Sequence, residues 1–179
     1  MFGLAGEMLS GKSLAAKFLV EHFAVKELRL SMILNNILDV LGLPQSRENQ
    51  QKLARLLREQ FGEQILAFTA AEYAEHAKEH TFLIDGIRKL EELNELKKRT
   101  DLRLIYVEAP LELRYQRLKQ RTEKVGEHLK QIEEFITDHK AESEIDIPKL
   151  KQYANFVVQN TGDDAELHAQ LTRIFTASI

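Results

Sequence analysis

Along the chain, short runs of branched and aromatic residues alternate with longer stretches whose apolar positions recur every three or four residues. This alternation predicts an α/β protein with a mainly parallel sheet. The first short run, Phe2-Gly3-Leu4-Ala5, is either a stubby strand or one whose opening residues precede Met1. A helix follows over residues 12–22, with Leu14, Phe18 and Leu19 on one side, and then a weak strand over 24–30. Ser31 is a candidate N-cap for a helix reaching Val40, which Gly42 and Pro44 terminate. Ser46 opens the next helix, where Leu53, Leu56 and Leu57 form an apolar stripe, and Gly62 breaks it. Residues 64–80 read as another helix. The clearest strands are 81–84 and 102–107, joined by a charged crossover helix over 89–99. A helix over 111–120 leads into the charged stretch 123–148, read as a mobile helical lid. Residues 154–158 return to the sheet, and a helix over 165–175 closes the chain.

Chemistry concentrates where short runs end. Gly6-Glu7-Met8-Leu9-Ser10-Gly11-Lys12-Ser13 matches G-x-x-x-x-G-K-[ST] after a strand and at the mouth of a helix. A polyphosphate must be wrapped by backbone N–H groups, and glycine permits the close approach and sharp turn. The anion then sits at the positive end of the following helix. In this pattern Lys12 reaches the β- and γ-phosphates and the Ser13 hydroxyl ligates Mg²⁺, with Leu14 next on the cradle side. Asp85 ends a strand at the sheet edge where α/β proteins bind ligands, which suits a second Mg²⁺ contact; the Asp85-Gly86 pair also suits a plain turn. Arg88 is either an acceptor-phosphate clamp or a surface arginine at a helix start. Arg114, Arg117 and Arg121 share one helix face that runs toward the lid. A charged row is by default a solvated face. Its place beside the site favours at least one of the three against nucleotide, with Arg121 first and Arg117 second as the catalytic cation. Asn160 sits in a turn that suits either a nucleobase edge or a helix cap.

Composition narrows the classes. Of 179 residues, 44% are hydrophobic and 30% charged, which fits one globular core. The formal charge of −3 argues against a nucleic-acid-binding module, so any anion must be held by local features. With no cysteine there is no disulfide, thiolate nucleophile or Cys-ligated zinc, and an intracellular, cytoplasmic setting is the expectation. Neither a leader nor a membrane-spanning run is visible, so no membrane partner is expected.

Five segments, GEMLSGKS, SRENQQKLARLLREQFGEQIL, FLIDGIRKLEEL, IYVEAPLELRYQRLKQRTEK and ANFVVQNTG, together resemble the P-loop nucleoside monophosphate kinase superfamily. Within it the chain is most similar to the dephospho-CoA-kinase-like and deoxynucleotide-kinase-like proteins. The resemblance implies a single-domain, three-layer P-loop fold with a five-stranded parallel sheet. It also implies an acceptor-binding helical region over about 31–80 and a small lid over about 122–148. ATP and Mg²⁺ are the implied cofactors, a small nucleotide the implied acceptor, and a monomer or homodimer the implied state. Ser31, Asn35, Arg58, Arg88 and Arg114 then fall on the acceptor side, with Arg58 and Arg88 as phosphate ligands. Arg114, Arg117 and Arg121 become lid-hinge arginines, and Asn160 an adenine-side residue. Three positions depart from that pattern. Met32 stands where an acid is usual and Asn35 where an arginine is usual, while Leu9 replaces a small residue. Glu7 and Asp85 are the remaining acids expected near the reaction centre, and Glu48 is a more distant candidate. A phosphate acceptor needs no base, so the loss at Met32 favours a nucleoside monophosphate over dephospho-CoA. A dephospho-CoA-kinase-like enzyme, or an ATP-binding, slowly ATP-hydrolysing protein with a decayed acceptor site, is the alternative.

Overall fold

The computed structural model describes residues 1–77, 81–120, 131–138 and 144–177. Its strands are β1 (Phe2–Ala5), β2 (Val25–Arg29), β3 (Thr81–Asp85), β4 (Arg103–Glu108) and β5 (Phe156–Gln159). They pair in parallel throughout, in the order β2-β3-β1-β4-β5. Helices α1 (Lys12–His22), α2 (Leu30–Val40), α3 (Arg47–Phe61), α4 (Ile65–His76) and α5 (Leu90–Arg99) fill the first half of the chain. The second half carries α6 (Leu111–Gln120), α7 (Ile132–Asp138), the short α8 (Ile147–Leu150) with a 3₁₀ turn after it, and α9 (Asp164–Thr176).

Side chains alternate across the pleat, and each face of the sheet builds its own core. Phe82, Ile84, Leu104 and Tyr106 point to one face, against Leu34, Leu66, Ala70, Leu93 and Leu96 from the helices α2, α4 and α5. Phe2, Leu4, Leu83, Ile105, Val107 and Val158 point to the other, against Ala15 and Leu19 of α1 and Leu167, Leu171 and Phe175 of α9. With helices on both faces, the architecture is a three-layer α/β sandwich. β1 lies between β3 and β4, so the loop after it opens at the switch point where the chain changes sides.

Most predicted elements lie within two residues of their observed bounds. Ser46 is the N-cap of α3, its hydroxyl accepting from the Asn49 N–H at 3.2 Å, and Gly62 ends that helix at φ 96°. Two readings change. Ser31 does not cap α2: that helix starts at Leu30, with Arg29 at the cap position and no side-chain cap bond. Leu56 is exposed, and α3 packs through Ala54 with Leu53 and Leu57. Of the stretch read as a lid, 122–130 and 139–143 lie outside the described residues, as do 78–80 at the end of the predicted fourth helix. The described part is packed: Phe135 of α7 is buried with its ring 5.9 Å from Tyr115, and Ile147 and Leu150 enter the core.

Candidate active site

The loop between β1 and α1 is bent by its own residues. Gly11, the cap of α1, has φ 98°, and a Cβ there would meet Asn160 Nδ2 at 1.8 Å. At Gly6 a Cβ would lie 2.5 Å from the Val107 carbonyl oxygen, so only glycine lets the loop cross so close to β4. Leu9 takes the left-handed region at φ 62° despite its side chain. Inside the loop, Ser10 N–H donates to Glu7 O at 3.1 Å, and the buried Ser10 hydroxyl finds no partner among the described residues.

Three side chains from β5 and α6 hold this loop from behind. Asn160, 3% exposed, donates from Nδ2 to Ser10 O at 2.8 Å while its own N–H bonds Glu108 O. Arg117 donates to Leu9 O at 3.1 Å and to Asn160 O at 3.0 Å. Its pKa is lowered by burial and partly restored by Asp164. Arg114 is buried; it donates to Glu7 Oε1 at 2.9 Å, to Ala109 O at 3.0 Å and to Met8 O at 3.4 Å. The structure thus places Arg114 against the loop and Glu7. Tyr106 lies beneath, its pKa raised first by burial and next by Glu7, so its phenol stays protonated.

At the front of the loop Lys12 Nζ donates to Asp85 Oδ1 at 2.6 Å. Parallel pairing of Leu4 with Asp85 brings the carboxylate to the strand end next to the loop. Ser13 is exposed in the first turn of α1, and Leu14 packs beside the α1–α9 core. A hydroxyl and a carboxylate are the hard oxygen donors that Mg²⁺ takes, leaving its remaining positions to water and phosphate. No group of three or more metal-binding His, Asp or Glu occurs among the described residues.

The residues expected on the acceptor side lie on α2, on α3, on α6 and in the loop before α5. Ser31 and Met32 lie exposed on α2, Glu48 is exposed in the first turn of α3, and Asn35 Oδ1 accepts from Gln50 Nε2 at 2.5 Å, tying α2 to α3. Arg58 donates to Glu92 Oε1 at 2.8 Å, and Arg88 Nη1 to Glu144 Oε1 at 2.5 Å. Glu92, only 1% exposed, also accepts the backbone N–H groups of Arg88 and Lys89 at the start of α5. Arg121 lies outside the described residues. Sequence reasoning passed over Arg29. The signal for it was available: the strand read over 24–30 contains Arg29, and parallel pairing of β2 with β3 places it opposite Asp85.

An AAA domain family model matches residues 3–144. A UPF0200/UPF0201 protein of Archaeoglobus fulgidus is 32% identical over 97% of the chain, and the chain spans 54% of that relative's length. A UPF0200 protein of Methanococcus maripaludis is 25% identical over 98% of the chain and 95% of its own. Among solved structures, TT1252 from Thermus thermophilus superposes with a TM-score of 0.70 at 18% identity, covering 99% of this chain and 96% of its own. A shikimate kinase from Aquifex aeolicus gives 0.59 at 18% identity over 99% and 96%. A gluconokinase from Sinorhizobium meliloti gives 0.54 at 14% over 99% and 94%. At such identities the likeness is one of fold: three-layer α/β with a five-stranded parallel sheet, as in P-loop small-molecule kinases.

Proposed function

The chain belongs to the family that the AAA domain model describes, and from that premise we propose that it is an ATP-dependent kinase acting on a small nucleotide acceptor. A nucleoside or deoxynucleoside monophosphate is the favoured acceptor, in keeping with the deoxynucleotide-kinase-like resemblance of its sequence. The observation that carries this reading is the Lys12–Asp85 contact at the mouth of a glycine-bent loop, between the ends of β1 and β3.

In the proposed reaction the loop amides and the α1 N-terminus receive the β- and γ-phosphates. Lys12 turns from Asp85 to those phosphates, and Ser13 and Asp85 are the residues that would hold Mg²⁺. Mg²⁺, when bound, offsets the negative charge of the phosphate oxygens. Arg114, Arg117 and Asn160 act through the loop, holding its carbonyls away from the incoming anion. Little covalent chemistry is asked of the protein; positioning and charge carry the rate. The helical region around residues 31–80 is the proposed acceptor side.

A coupled ADP-release assay with Mg·ATP and nucleoside monophosphates tests the proposal. Acceptor-dependent turnover is the expected outcome, and ATP binding without it would refute the kinase. The second reading, an ATP-binding protein with a decayed acceptor site, is favoured by one observation. Asn35, where an arginine is usual, is engaged with Gln50 rather than open to a ligand.

A further inference from the structure

Arg29 closes β2, precedes α2 and pairs in register with Asp85. The parallel sheet therefore brings a guanidinium to the same edge as the phosphate loop. Its Nε donates to Glu27 Oε1 at 2.7 Å and lies 3.7 Å from Asp85 Oδ2. One carboxylate thus faces two cations, Lys12 on Oδ1 and Arg29 beside Oδ2. The Arg29 side chain is nevertheless 49% exposed, and its Nη groups donate no hydrogen bond among the described residues. By contrast, Arg58 and Arg114 are mostly buried on Glu92 and Glu7, and Arg88 is drawn onto Glu144.

We infer that Arg29 grips the anionic end of the acceptor, and that the acceptor attacks through a phosphate oxygen and not through a hydroxyl. This rests on the kinase reading above. A guanidinium fixed through Nε presents its two Nη groups as a planar fork, the geometry that matches two phosphate oxygens. Glu27 sets the plane of the fork, and its hydrogen bond also raises the pKa of the group. Met32, two residues past the start of α2, is apolar and can deprotonate nothing. A phosphate monoester needs no base. Its oxygen forms a bond to the γ-phosphorus as the bond from that phosphorus to the β–γ bridging oxygen breaks. The electron pair leaves on the β-phosphate of ADP, and no proton is transferred.

Two readouts separate this inference from the kinase reading. In the ADP-release assay, AMP, CMP, dAMP and dCMP should stimulate turnover, while the matching nucleosides and dephospho-CoA, which offer only a hydroxyl, should not. Arg29→Gln should raise the KM of the active monophosphate at least tenfold with the KM for ATP unchanged, and Arg29→Lys should recover part of the loss. Calorimetry with the same monophosphates reads the site without turnover. Arg29-dependent monophosphate binding in a protein that never turns over would overturn the kinase reading and uphold the acceptor site. Equal monophosphate affinity in wild type and Arg29→Gln, no monophosphate binding at all, or turnover with nucleosides or dephospho-CoA would overturn the inference. Arg29 is half exposed, so both variants should keep the wild-type melting curve, and a melt verifies this.

Discussion

At the scale of single residues, Lys12 and Asp85 pair with each other at the mouth of the loop, Nζ to Oδ1 at 2.6 Å. A buried carboxylate is costly when unpaired, and the 2.6 Å contact with Lys12 supplies its partner. Replacing Lys12 should strip the phosphates of their principal side-chain cation. Lys12→Ala is expected to lower kcat by about 10²-fold or more and to weaken ATP binding measured by calorimetry. Unchanged turnover in that variant would remove the loop from the reaction. Leu9 shows the same economy of means in the backbone. Its left-handed conformation costs about 1–2 kcal/mol and is held by Arg117 on its carbonyl.

At the scale of elements, Glu92 organises the start of α5. It satisfies two backbone N–H groups that the helix itself leaves orphaned and neutralises Arg58 from α3. Glu92→Ala leaves that guanidinium and both amides without their acceptor, and the expected loss is about 3 kcal/mol in urea unfolding. A second contact pins the end of β4. Glu108 accepts from Lys151 and Gln159, and these hydrogen bonds hold its pKa below the ordinary 4.5. A carboxylate with a depressed folded pKa stabilises fully above its unfolded value and loses that contribution as pH falls through the folded one. Lys151→Met should therefore lower stability at neutral pH by roughly 0.2–1 kcal/mol, as befits a partly exposed pair. The gap to wild type should close as pH falls below about 4.5, followed by thermal melts across that range.

The strands and most helix bounds were legible because burial on both faces of a parallel sheet leaves continuous apolar runs such as Leu104 to Val107. The loop and Lys12 were legible because their spacing is local, and Asp85 because it ends a strand, although 73 positions separate it from Lys12. What escaped is the pairing of arginines. Arg114 meets Glu7 across 107 positions, Arg88 meets Glu144 across 56, and Arg58 meets Glu92 across 34. Helical spacing places such residues on a face and says nothing of which carboxylate the fold will bring there. Arg29 escaped because a strand over 24–30 contains it without revealing that β2 pairs with β3 in the register that sets it opposite Asp85.

At the scale of the whole molecule, ligand binding should register as global stabilisation. Mg·ATP at a hundred times its Kd adds about 2.7 kcal/mol, or a rise of about 5–10 °C in Tm for a chain of this size. No thermal protection by millimolar ATP, ADP or GTP would leave the site without a nucleotide to serve. The staples behind the loop carry one more consequence. Asn160, Arg117 and Arg114 fix its carbonyls through protein contacts alone, so the cradle's shape does not wait for adenosine to arrive. A preformed nest discriminates by charge and length of its guest, and inorganic tripolyphosphate should therefore compete with ATP even though it carries neither sugar nor base.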